Sequence, residues 1–193
     1  MLGQIISGAT ILLLAGCATT QLSNVVVNPN FQGPIESVMV MGVATNAQNR
    51  ATFEQEFASL FQKNGVRAVQ SRNPIPRFQA VTDKQIQDIV RQQGVQTVFV
   101  ARVVNVSEEH NYIPPTFVYY RPYYSPFYMG SMWSPAYVAT TTMIHIEVTL
   151  HDATADQLIW SATSTSFNPT KLDDVIDELG RTVIEQFRKN GLL

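Results

Sequence analysis

Cysteine is nearly absent: Cys17 is the only one in 193 residues. No disulfide can form within the chain, so stability must come from packing. Charge is sparse and balanced, with Lys+Arg 13 against Asp+Glu 15 and a formal net charge of -2. No basic stripe appears, which excludes a nucleic-acid partner. Long apolar runs are missing too. The longest, Ile5 to Ala15, is broken by Ser7, Gly8 and Thr10 and falls well short of the roughly 20 residues a spanning helix needs. It reads as the core of a signal peptide. Met1–Gln4 contains no Lys or Arg, so the basic start expected of such a signal would lie upstream.

The same run ends in Leu14-Ala15-Gly16-Cys17. These four residues resemble the lipobox of bacterial lipoproteins. The resemblance implies cleavage between Gly16 and Cys17, a diacylglycerol on the Cys17 thiol and a fatty acyl group on its new amino end. Two or more acyl chains hold a protein stably on a membrane, each buried CH₂ contributing about 0.8 kcal/mol. Ala18 follows the cysteine, where enterobacterial lipoproteins retained in the inner membrane carry Asp. The resemblance thus implies an outer-membrane, lipid-anchored protein with its domain on the periplasmic side.

The expected organisation is a signal peptide over 1–16, an acylated cysteine and tether over 17–35, and an α/β domain over 36–193. Residues 18–34 carry no formal charge, with Val25, Val26 and Val27 a possible edge strand inside the tether. Ser37–Val43 is a short apolar run suited to a buried strand. Asn49–Asn64 reads as a helix. Phe53, Phe57, Leu60 and Phe61 repeat on one face, and Glu54, Gln55, Gln62 and Lys63 take the other. Gly65 stops it and Val66–Gln70 forms a strand. Thr82 and Gln85 make a capping box for a helix over Asp83–Gln93. Gln96–Val106 is apolar on both faces, as a central strand is. Val138–His151 alternates, turns at Asp152–Asp156 and returns as Gln157–Phe167, with Leu158 and Trp160 on one face. Thr170 caps a last helix. Three helix stops share one form, glycine followed by an apolar residue: Gly65-Val66, Gly94-Val95 and Gly191-Leu192.

These elements predict an α/β, sandwich-like fold. Its mixed sheet has about five strands in the order β-α-β-α-β-β-β-α. That order, with the hairpin segment Leu150–Ser161 (LHDATADQLIWS), resembles small domains of envelope lipoproteins: the TolB amino-terminal domain, the curli-secretion lipoprotein and the penicillin-binding-protein activator lipoproteins. The resemblance implies a fold and transfers no functional residue.

Residues 111–137 are the second unusual feature. All seven tyrosines lie there, with Phe117, Phe127, Trp133 and five prolines. Arg121 is the only formal charge between Glu109 and Glu147. Five prolines argue against a helix or a central strand, so the expectation is a long loop inserted before the hairpin. Loops of that length are usually functional or disordered, and aromatic content argues against disorder. Three surfaces could cover the rings: the loop's own domain, a protein partner or second copy, or lipid headgroups. Tyr119, Tyr120, Tyr123, Tyr124, Phe127, Tyr128 and Trp133 are the partner-binding candidates.

A catalytic set is not apparent. His145 and His151 lie six residues apart on one strand, about 20 Å by strand rise, too far to share a metal. Glu108, Glu109 and His110 read as a solvated strand end. Asp173, Asp174, Asp177 and Glu178 complement a helix dipole. Gly42–Arg50 lacks a Gly-Lys-Ser/Thr element, so no nucleotide is expected, and no Gly-x-Ser-x-Gly elbow occurs. No cofactor or metal is expected. The reading is a non-enzymatic binding or assembly factor of the bacterial envelope, its partner an envelope protein or another copy of itself. A structural subunit of a secretion or appendage complex is the alternative, and a peptidoglycan-related enzyme is a third.

Overall fold

The computed structural model describes residues 20–31, 33–77, 82–120, 130–155 and 157–193. In chain order these form β1 (Thr20–Val27), β2 (Ser37–Val43), α1 (Ala47–Lys63), β3 (Arg67–Gln70), α2 (Asp83–Gln92), β4 (Thr97–Ile113), β5 (Thr116–Tyr120), β6 (Gly130–Ser134), β7 (Tyr137–Asp152), β8 (Leu158–Phe167) and α3 (Leu172–Lys189).

Local chemistry accounts for the helix ends. The Asn46 side chain accepts hydrogen bonds from the Gln48 and Asn49 backbone N–H groups, at 2.8 and 3.0 Å, and opens α1. Thr82 and Gln85 form the reciprocal capping box of α2. Gly65 and Gly191 take φ of 82° and 70°. The N–H groups of Val66 and Leu192 then reach back to the carbonyls of Phe61 and Phe187, at 3.0 and 2.8 Å. Both apolar residues are buried, as the closing contact of this cap requires. Thr170 does not cap α3. Lys171 occupies the N-cap position without a side-chain bond, and Thr170 Oγ1 donates instead to Asp174 at 3.0 Å.

The fold is α/β, with a six-stranded mixed sheet in the order β1-β8-β7-β4-β2-β3. Strands β3, β2 and β4 run parallel, and β4, β7, β8 and β1 run antiparallel. From β2 the chain crosses to β3 through α1, then returns past β2 to β4 through α2. Right-handed crossovers in opposite directions place the two helices on opposite faces. Helix α3 joins α1. Val38, Val40, Phe99, Ala101, Ile146, Val148, Leu150, Trp160 and Ala162 meet Phe53, Phe57, Phe61, Val175, Leu179, Val183 and Phe187 there. On the other face α2 covers only Met39, Met41 and their neighbours, with Ile75, Val90 and Val95. That face of β7 and β8 remains half-buried at most, carrying His145, Glu147, Thr149, Thr163 and Thr165.

Besides the Thr170 cap, four sequence expectations need correction. The edge strand suggested at residues 25–27 is present but longer: it begins at Thr20, inside the stretch placed in the tether, and adds a sixth member to the sheet. Leu158 and Trp160 do not share a face. A register shift pairs Leu158 with His151 and Trp160 with Leu150, leaving Leu158 exposed and Trp160 buried.

Glu54, assigned to the solvent face of α1, is fully buried. Its Oε1 accepts from Arg50 Nε at 2.8 Å, Ser71 Oγ at 2.6 Å and the Gly42 N–H at 3.2 Å, while Oε2 accepts from the Arg72 N–H at 2.7 Å. Arg50 also donates to Ser71 Oγ and to the Pro76 carbonyl. The network ties the ends of β2 and β3 to α1. Burial of the charges is tolerated because both partners are paired and multiply hydrogen-bonded. The fourth correction concerns the aromatic segment.

Candidate functional site: a projecting ribbon

The described part of the segment expected to be a loop is mostly β structure. β4 and β7 pair from Thr97↔Asp152 to Ile113↔Tyr137, and β5 and β6 pair from Thr116↔Ser134 to Tyr120↔Gly130. From Asn105↔His145 onward each step on one strand is matched by one on the other. Pro114 and Pro115 therefore stand opposite Pro135 and Ala136, and one register continues across the break. Proline is excluded from central strands because it removes a ladder donor. In a two-stranded ribbon both strands are edges, so the rule does not apply.

The neighbouring strands stop early. β2 ends where Val43 meets Arg102, and β8 ends where Phe167 meets Met143. Asn168, with φ of 45°, turns the chain away. Its N–H donates to the Thr142 carbonyl and its side chain accepts from the Thr142 N–H, both at 2.8 Å. Beyond Thr142 the ribbon has two strands only. Its described side chains are exposed on both faces: Tyr112 is 66% exposed, Tyr137 56% and Val138 58%. The described part does not lie on its own domain.

The bulge between Val103 and Asn105 swaps which side each residue presents. Val103, Val106, Tyr112 and Val138 consequently share the face that carries Ile144 and Ile146. All four are more than half exposed. At the root, Arg102 donates to Glu147 across the strands, the pairing that accounts for a cation in an apolar strand. Glu108 and His110 lie 4.0 Å apart and exposed, with His110 Nδ1 3.0 Å from Thr140 Oγ1.

Of the partner-binding candidates, Tyr119 and Tyr120 lie in β5, opposite Ser131 and Gly130, and Trp133 lies in β6, opposite Phe117. Tyr123, Tyr124, Phe127 and Tyr128 lie outside the described residues, as do Gly16 and Cys17. Sequence reasoning missed Tyr112, Tyr137 and Val138 as exposed ribbon residues. Tyr112 and Tyr137 were visible as members of the aromatic segment but were not among the partner-binding candidates.

A cavity of about 350 Å³ opens between α2 and the sheet, floored by Met41, Val98 and Val100 and walled by Ile86 and Val90. Its ionisable lining consists of Arg91, His151 and Asp152. Arg91 pairs with Asp88 at 3.6 Å and His151 Nε2 lies 3.0 Å from Thr149 Oγ1. Asp173 and Asp177 line a separate cleft with Glu56. Among the described residues no group of His, Cys, Asp or Glu is arranged to hold a metal ion. No helix among them is long and apolar enough to cross a membrane, which leaves strand-built crossings untouched.

No family model matches the sequence, and no curated protein matches it. Solved structures show distant similarity only, among them two bacterial proteins. The PelC dodecamer from Paraburkholderia phytofirmans is 12% identical with a TM-score of 0.43, covering 81% of this chain and 89% of that one. Lipoprotein GNA1162 from Neisseria meningitidis is 11% identical with a TM-score of 0.44, covering 79% of this chain and 98% of that one. Neither likeness assigns a role to any residue.

Proposed function

We propose that this chain is a lipid-anchored, non-enzymatic binding or assembly factor of the bacterial envelope. The acyl chains on Cys17 hold the domain at the outer membrane on its periplasmic side. The ribbon is the surface through which it meets the rest of the envelope. The observation that carries this reading is the exposure of Tyr112, Tyr137 and Val138 on a ribbon that leaves its own domain, with Val103 and Val106 exposed at its root. Exposed aromatic and β-branched side chains on a projecting element are the kind of surface that marks an interaction site. Confinement to a membrane raises the effective concentration of this surface for whatever lies there.

A ribbon-shortened variant tests the reading. His110 and Thr140 are paired in register, so residues 111–139 can be replaced by an Asn-Gly turn that closes the hairpin at that point. Crosslinking in intact envelopes should lose ribbon-dependent contacts in this variant while its fold is kept. An unchanged contact list would move attention to the α2 cavity and the open face of β7 and β8.

A further inference from the structure

The topology places the start of β1 at the end of the sheet from which the ribbon projects. Thr20 pairs with Ser166, Ser166 with Ile144 and Ile144 with Val106. These four form one row across the sheet. β1 runs away from the ribbon, so the chain enters the sheet from the ribbon's side. Cys17 stands three positions before Thr20, with Ala18 and Thr19 between them, a reach of at most about 11 Å. Beyond the same row, β4 continues to Ile113, about 20 Å by strand rise, and β5 and β6 follow. A membrane within reach of Cys17 is therefore closer to this end of the sheet than the ribbon is long. A domain standing on this end cannot keep the ribbon clear of the lipid.

The ribbon's chemistry suits that position. Its charges lie at the root: Glu108 is exposed, Glu109 follows, and Arg102 pairs with Glu147. Between Glu109 and Glu147 the sequence holds one formal charge, Arg121, and all seven tyrosines. Tyr and Trp concentrate where acyl chains meet water, because each ring has an apolar body and a polar tip. Depth has a limit. An open two-stranded ribbon has unpaired edge groups that hydrocarbon does not satisfy, so the seat is the headgroup region.

We infer that the far part of the described ribbon, the paired stretches 112–120 and 130–138, is a second membrane contact that seats in the lipid–water interface beside the acyl anchor. The inference rests on the lipid-anchor reading of Cys17. It deepens the proposed function by making phospholipid the ribbon's immediate partner. It also sets the orientation of the domain, with the end of the sheet where β4 begins turned away from the membrane.

The chain contains two tryptophans, Trp133 in the hairpin and Trp160 in the core, and Trp160 has no solvent exposure. The full chain, purified from envelopes, would be reconstituted into phosphatidylethanolamine–phosphatidylglycerol vesicles doped with brominated phosphatidylcholine. Its mass is measured alongside. The expected result is acyl mass on Cys17, flotation with the vesicles, and partial quenching of emission, strongest with bromines near the headgroup. Trp133→Phe should float equally and lose the quenchable fraction. A chain that carries acyl mass and floats, yet shows no quenching beyond that of Trp133→Phe, overturns the ribbon seat and leaves the anchor standing. A chain without acyl mass on Cys17 overturns the anchor and the inference together. In intact envelopes, a benzophenone side chain replacing Tyr120 should capture lipid. Capture of one protein band alone would assign the ribbon to a protein partner and overturn the inference.

Discussion

Strand β4 passes through two environments without a change of element. From Thr97 to Ala101 its residues alternate between buried and half-buried, with Phe99 fully enclosed. Val103, Val104 and Val106 are also β-branched and apolar, yet roughly half or more of each is exposed. Strand β7 shows the same division between Leu150 and Val138. What differs is the set of neighbours. Near Phe99 the rings of Phe57, Phe61 and Phe187 lie with centroids 5.1, 5.5 and 6.2 Å away. Past Arg102 strand β2 no longer flanks β4, and beyond Met143 strand β8 no longer flanks β7. Strand propensity continues into the ribbon, while burial is decided by what packs on top.

The contrast can be broken from its packed side first. Phe99→Ala should lower unfolding free energy by about 3–5 kcal/mol, measured by urea denaturation with an unchanged m-value. Glu54→Ala should also cost about 3–5 kcal/mol, because it leaves the Arg50 guanidinium buried without its carboxylate. The matching exposed pair sharpens the point. Arg102→Ala should move stability by less than about 1 kcal/mol in the same assay. A loss from Arg102→Ala as large as that from Glu54→Ala would contradict the two-environment picture.

Helix packing gives an intermediate case. A Cβ added at Gly180 would lie 2.3 Å from Leu60 Cδ1, where α3 crosses α1. Gly180→Leu should cost about 1–3 kcal/mol through overpacking, visible as a lower melting temperature. The smallest effect is expected from the ribbon. Replacing residues 111–139 by Asn-Gly removes exposed surface and should change domain stability by about 0.5 kcal/mol or less. A large loss there would mean the ribbon supports the core, and its role as a free contact surface would fail.

The sequence made local structure legible where one residue controls it. The capping box at Thr82 and Gln85, the glycine stops at Gly65, Gly94 and Gly191, and the strand over Ser37–Val43 all appear where the pattern puts them. The segment 111–137 was legible as unusual and misjudged in form. Its prolines disqualify a central strand, and only the absence of flanking strands makes them acceptable. Glu54 was misjudged for a related reason. Helical periodicity places it away from the phenylalanines, but the β3–α2 connection brings Ser71, Arg72 and Pro76 over that side of α1.

By itself the sequence determined the elements and their ends, because caps, glycine stops and alternating strands depend on residues a few positions apart. It also carried the Cys17 pattern and the concentration of tyrosine in one segment. Only the tertiary structure decided that Thr20–Val27 closes one edge of the sheet, that Glu54 and Arg50 are buried together, and that the aromatic segment leaves the domain from the end where β1 begins. Those outcomes depend on residues such as Thr20 and Ser166, or Glu54 and Ser71, that are distant in the chain and neighbours only once the strands have taken their order.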